Sequence, residues 1–151
     1  MMTLGLIALD ACLTSAQVNA PGRKKNALKS FAAGEKSVGE GSIDLAEKHF
    51  LKAYREEPQW LEPLIKLGAL YFEIQDFEQS AIYFEKALHI DSLSEPLIYF
   101  KLGEIAMAKE NHPIVIDRFS RFLGFDRINK SLREKAEKYV RDANFLNSDP
   151  P

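Results

Sequence analysis

The amino-acid sequence predicts an all-α fold, an array of helical hairpins, and three observations support that prediction. Residues 61–91 place apolar side chains at helical spacing in two consecutive blocks. Between the blocks, Asp76 stands three residues before Gln79, a spacing typical of a helix start because the first side chain caps a backbone N–H. The same pattern recurs at shifts of 34 and 35 residues, so we expect several copies of the hairpin.

The residues at helical spacing alternate between small and large types. The first block carries Leu64, Leu67, Gly68 and Tyr71, and the second carries Ala81, Phe84, Ala87 and Leu88. The pattern resembles the tetratricopeptide repeat (TPR), with Ser80 at a position where alanine is usual. The resemblance implies a right-handed superhelical array in which small residues let helices approach and large residues fill the space between repeats.

A single hairpin cannot bury its own apolar face, so neighbouring copies are expected. Moving the frame back by 34 residues aligns Gly34 with Gly68, and moving it forward by 35 aligns Gly103 with Gly68. The aromatic position of the second helix is filled in the three copies by Phe50, Phe84 and Phe119. We therefore predict one TPR domain over residues 23–146, with repeats near 27–60, 61–94 and 96–129.

After the third repeat, residues 131–146 are predicted to form a capping helix. An apolar stripe runs along it at steps of three and four residues: Leu132, Ala136, Tyr139, Ala143 and Leu146. We expect this stripe to cover the apolar side of repeat three. Residues 147–151 read as a linker-like tail, as at the edge of a domain in a longer protein.

The start of the chain is apolar and small up to residue 16, and a short linker follows over 17–22. Two predictions place it in an envelope: a signal peptide cut ahead of Gln17, or a lipoprotein leader in which Cys12 carries the lipid. Asp10 departs from the small residue usual in a lipoprotein leader. The alternative is an apolar leader retained on a cytoplasmic protein.

Composition argues against several classes of function. The formal net charge of −2 offers no electrostatic basis for binding nucleic acid or an anionic membrane, so a membrane contact is expected only through a lipid at Cys12. One cysteine excludes an internal disulfide and a cysteine-rich metal site, and the three histidines are spread one to a repeat. We expect no catalytic residues, metal, cofactor or small-molecule substrate, and therefore no enzyme.

The TPR resemblance implies a concave groove, lined by the first helix of each repeat, that binds a peptide or partner protein. Carried over position by position, the candidate groove residues are Phe31, Val38, Ile65, Lys66, Ala69, Phe72, Phe100, Lys101 and Met107. Apolar residues with two lysines among them suit an apolar peptide in an extended or helical conformation. The alternative for Phe31 and Phe100 is that they pack against neighbouring helices.

One subclass of the family holds the acidic C-terminus of cytosolic chaperones with Lys, Arg and Asn side chains. The corresponding positions here are Phe31, Glu35, Lys66, Leu97 and Lys101. Because Glu35 would repel a carboxylate, we do not expect this chain to share that ligand.

The order of leader, three repeats and terminal helix is similar to the N-terminal part of Bacteroidetes-type envelope proteins, in which TPR repeats precede a β-propeller and an OmpA-like domain. Within the terminal helix, residues 133–137 and 142–145 carry the similarity. It implies an assembly adaptor in the periplasm or at the outer membrane. The alternatives are a cytoplasmic co-chaperone or scaffold and a self-associating structural module.

Overall fold

The computed structural model describes residues 24–148; the leader, Cys12, the linker and residues 149–151 lie outside that range. The described residues form seven α-helices and no strand. In chain order they are α1 (Lys25–Gly39), α2 (Ile43–Glu56), α3 (Glu62–Glu73), α4 (Phe77–Ile90), α5 (Pro96–Ala108), α6 (His112–Leu123) and α7 (Lys130–Ser148). The prediction of an all-α fold built from helical hairpins is confirmed.

The described residues divide into two compact units, 24–90 and 91–148. In the described part of the chain, the first unit contains the hairpins α1–α2 and α3–α4, and the second contains the hairpin α5–α6 followed by α7. Within the first unit α2 also packs on α3, and within the second α6 packs on α7. Each unit therefore buries the apolar faces of its own helices.

A glycine pressed against a phenylalanine ring recurs in all three hairpins. The pairs are Gly34 with Phe50, Gly68 with Phe84, and Gly103 with Phe119. A Cβ atom at any of these glycines would lie 2.6–2.7 Å from the nearest ring carbon, closer than real Cβ atoms come to their neighbours. The alignment of the three repeats therefore corresponds to one helix–helix contact used three times.

The turn between the two helices of each hairpin is also repeated. Gly41, Gln75 and Glu110 occupy equivalent positions and have φ angles of 73°, 62° and 53°. Only the first turn uses glycine, the residue that adopts this left-handed conformation without steric cost. Directly after the second turn, the Asp76 carboxylate accepts a hydrogen bond from the Gln79 backbone N–H at 3.1 Å, which confirms the predicted cap.

The core of the first unit is centred on an aromatic cluster. Phe31 on α1 lies 5.4 Å from Phe50 on α2 and 4.7 Å from Trp60, measured between ring centroids. All three side chains are buried. Trp60 precedes α3 and therefore joins the first hairpin to the second.

In the second unit α7 lies against α6. Ala136 and Ala143 are buried, and the ring centroids of Tyr139 and Phe119 are 5.1 Å apart. Arg133 donates hydrogen bonds to backbone carbonyl oxygens at the end of α6 and just beyond it. Leu146, which the apolar stripe had placed in the interface, is exposed, because the covered part of α7 ends before its last turn.

A helix that crosses a bilayer must be both long and predominantly apolar. Over residues 24–148, no helix combines the length and the apolarity needed to cross a bilayer.

Candidate partner-binding surfaces

The structure separates the predicted groove residues of the first unit into two groups. Phe31 and Ile65 are core residues with exposed fractions of 1% and 2%. Val38 on α1 and Lys66, Ala69 and Phe72 on α3 are half-buried, and the three α3 residues share one side of that helix because they follow at steps of three. We call these four, together with Glu35, the α1/α3 surface. Phe31 and Ile65 are corrected to core positions, since a side chain enclosed by its own helices has no surface to offer a partner.

The second unit shows the same division. Phe100 is 3% exposed and packs edge-on against Phe119 and Phe122, at centroid distances of 5.2 and 5.1 Å, so it too is corrected to a core position. Lys101 is half-buried, and Met107 is 37% exposed. We call Lys101, Glu104 and Met107 the α5 surface.

An ion pair joins the two helices of the α1/α3 surface. The Lys66 ammonium nitrogen on α3 lies 3.3 Å from a Glu35 carboxylate oxygen on α1. The lysine side chain is 19% exposed and the glutamate side chain 45%. The Lys66 ammonium group is therefore the more buried of the two, and the Glu35 carboxylate contacts it from the side of the solvent.

The α5 surface carries a three-membered ion cluster. Lys101 donates to one carboxylate oxygen of Glu104 at 2.9 Å, and Lys135 from α7 donates to the other at 3.2 Å. The Lys135 ammonium also lies 5.4 Å from the centroid of the Phe100 ring. Burial disfavours the charged form of Lys135, but the hydrogen bond and the attraction to Glu104 outweigh it and raise the pKa of the lysine.

A second polar cluster lies inside the first unit, where two tyrosines share one carboxylate. The Tyr83 hydroxyl on α4 donates to Glu47 on α2 at 2.9 Å, and its ring stacks on that of Tyr71 on α3 at 5.6 Å. Burial, followed by the bond to Glu47, raises the pKa of Tyr71 to about 12 and also raises that of Tyr83. Neutral hydroxyls that donate to a carboxylate hold three helices together, and they offer no group ready to take up a proton at neutral pH.

A polar cleft of about 280 Å³ lies between α1 and α2. It is lined by Asn26, Lys29, Ser30, Ala33, His49, Lys52 and Glu56. No group of three or more His, Cys, Asp and Glu side chains within residues 24–148 is arranged to hold a metal ion.

Solved structures of the same architecture exist, although no family model matches the sequence. The first TPR domain of Spaghetti (RPAP3), bound to the HSP90 peptide SRMEEVD, superposes with a TM-score of 0.65 at 18% identity, over 82% of this chain and 97% of that one. The N-terminal domain of stress-induced protein-1 (STI-1) from C. elegans gives a TM-score of 0.66 at 20% identity, over 83% and 98%. The fold is a TPR fold. At these identities the likeness establishes architecture alone.

Three residues that shape these surfaces were not among the predicted site residues, and each has a signal in the sequence. Trp60 lies four residues before Leu64 and so extends the apolar stripe of α3 backwards by one turn. Lys135 lies next to the buried Ala136, at the edge of the stripe that faces α6. Glu104 lies three residues after Lys101, at the spacing of an intrahelical ion pair.

Proposed function

We propose that this chain is a non-enzymatic protein-interaction module that holds a peptide or a segment of a partner protein. The observation that carries the proposal is apolar side-chain surface that stays partly exposed on the first helix of two hairpins, α3 and α5. Ala69 and Phe72 are half-buried on the α1/α3 surface, and Met107 is exposed on the α5 surface. Apolar side chains flanked by charged ones suit a peptide with apolar anchors and a solvated backbone.

The comparisons support the proposal at the level of architecture. A domain of the same fold holds the peptide SRMEEVD, so such helix arrays can hold an extended ligand. Within residues 24–148, neither surface contains a cluster of His, Cys, Asp and Glu side chains that could hold a metal ion. The expectations that no nucleic acid, cofactor or small-molecule substrate is bound remain predictions.

Selection from a random peptide library displayed on phage, with the full chain as bait, tests the proposal. The wild type should enrich peptides with apolar anchors, and Phe72→Glu should lower their enrichment by about tenfold or more, because a charge would lie against an apolar ligand side chain. Ile82→Glu on α4 is the matched control: the change is similar, and Ile82 is exposed outside the α1/α3 surface. Equal losses in both variants would refute the surface assignment. A wild type that enriches nothing would refute the function.

The location of the module is a separate proposal that depends on residues 1–16. We keep the envelope prediction, with export by a cleaved leader or lipidation at Cys12, and the cytoplasmic adaptor as its alternative. Neither similar structure is described as an envelope protein. The intact mass of the protein from a Gram-negative host decides: a mature chain that starts at Gln17 or at a lipid-modified Cys12 supports the envelope, and an unprocessed Met1 contradicts it.

A further inference from the structure

We infer that Glu35 sets the ligand specificity of the α1/α3 surface by excluding peptides that present a carboxylate there. The inference rests on the proposed function, and it concerns which chemical class of peptide is accepted. Its starting point is the pair between Glu35 and Lys66, whose charged atoms are 3.3 Å apart.

The two members of the pair differ in depth. The Lys66 side chain is about half as exposed as that of Glu35, 19% against 45%. A ligand carboxylate that approached Lys66 from solvent would therefore meet the Glu35 carboxylate first. It would have to displace Glu35 and then remain close to it, and like charges at such distances repel strongly in a partly desolvated site.

The surrounding charges do not reverse this balance. Glu73 follows Ala69 by one helical turn on the same side of α3, and it is exposed. Glu62, one turn before Lys66, is buried at the start of the helix. The exposed carboxylates of Glu35 and Glu73 therefore outnumber the single ammonium group of Lys66. The surface suits a peptide segment that is apolar and neutral or basic.

The second unit also contains lysines that pair with a glutamate of the same unit. Both carboxylate oxygens of Glu104 are engaged, one by Lys101 and the other by Lys135. A ligand carboxylate would have to compete with Glu104 for these two ammonium groups. In each unit, a lysine that the sequence placed on the binding surface is already held by a carboxylate of the chain itself.

The peptide bound by the similar Spaghetti domain has the opposite character. Its sequence SRMEEVD ends in two glutamates, a valine and an aspartate. We expect the α1/α3 surface to bind that peptide weakly, because Glu35 would repel its carboxylates.

The test repeats the phage selection with wild type, Glu35→Gln and Glu40→Gln as baits. Glu35→Gln keeps the shape of the side chain and removes its charge, so acidic residues should become enriched among its peptides although the wild type selects against them. Glu40→Gln removes the same charge from the end of α1, where Glu40 pairs with Lys36, and its peptides should match those of the wild type. Synthetic SRMEEVD should bind Glu35→Gln about tenfold more tightly than wild type.

The outcomes separate this inference from the proposed function. If the wild type enriches peptides and Glu35→Gln selects the same acidic content, the function stands and the role of Glu35 is refuted. Tight binding of SRMEEVD to the wild type would also refute it and would favour the co-chaperone alternative. If no bait enriches any peptide, the proposed function fails and the inference fails with it.

Discussion

Replacing Gly68 by alanine tests the contact on which the repeated hairpin depends. A Cβ atom at this position would lie 2.6 Å from Cδ1, 2.7 Å from Cε1 and 2.9 Å from Cγ of Phe84. Ordinary van der Waals contact begins near 3.4 Å, so the ring or the helix must move by about 0.8 Å. The Phe84 side chain is buried, and the clash includes Cγ, the ring atom nearest the backbone. The ring therefore cannot rotate away into solvent.

Two effects of opposite sign set the size of the change. Overfilling a packed core typically costs about 1–3 kcal/mol. Alanine is a better helix former than glycine by about 1 kcal/mol, which offsets part of that loss. The difference centres on about 1 kcal/mol, and we expect Gly68→Ala to lower the free energy of unfolding by that amount. For a chain of this size, about 1 kcal/mol corresponds to a fall in melting temperature of roughly 2–4 °C.

Urea and thermal unfolding followed by far-UV circular dichroism measure this change. Gly39→Ala is the control: it also lies in a helix, but a Cβ atom there would meet no atom within 4 Å, so its stability should equal or exceed that of the wild type. Phe84→Leu should cost less stability in the Gly68→Ala background than in the wild type, because a smaller side chain relieves the clash. Unchanged stability of Gly68→Ala, or an equal loss in Gly39→Ala, would show that close approach does not explain these glycines.

Two further predictions concern buried side chains. The pKa of Tyr71 rises from 10.0 in the unfolded chain to about 12 in the folded one. Tyr71 therefore contributes stability that is fully present below pH 10 and is lost as the pH rises towards 12. Urea unfolding across that range should show a decline in the free energy of unfolding, and the decline should be shallower in Tyr71→Phe. Phe100→Glu, which the sequence alone would treat as a surface change, should destabilise the fold by more than about 4 kcal/mol, since it removes a core ring and buries a charge. Met107→Glu on the same helix should stay within about 0.5 kcal/mol of wild type in the same melting assay, and a similar loss in both would contradict the core assignment of Phe100.

Short-range spacing made the helices and their pairing predictable. Glycine at one offset and phenylalanine at another reflect a contact between two helices of one hairpin, so the signal lies within about twenty residues and repeats three times. The cap at Asp76 was predictable for the same reason, because its hydrogen bond reaches only three residues along the chain. Contacts between residues that are close in sequence can therefore be predicted from the order of the residues.

The division between core and surface on the first helices was not predictable in the same way. Phe31 and Phe72 are both groove positions in the family pattern, but Trp60 covers Phe31 completely, whereas Phe72 contacts Phe77 and stays half-buried. Burial depends on what another helix brings to the position, and spacing along one helix carries no information about that. The pair between Glu35 and Lys66 was not predicted for the same reason, since it joins α1 to α3 and the whole of α2 lies between them along the chain.

Trp60 is the only tryptophan in the chain, and it is fully buried against Phe31 within the first unit. Its intrinsic fluorescence therefore reports on one place, the junction between the first and second hairpins, whereas circular dichroism reports on every helix. A single denaturation series read by both signals would show whether the chain melts as one cooperative body or in two steps. Trp60 fluorescence can thus follow unfolding of the first unit separately from that of the whole chain, without a label or a substitution.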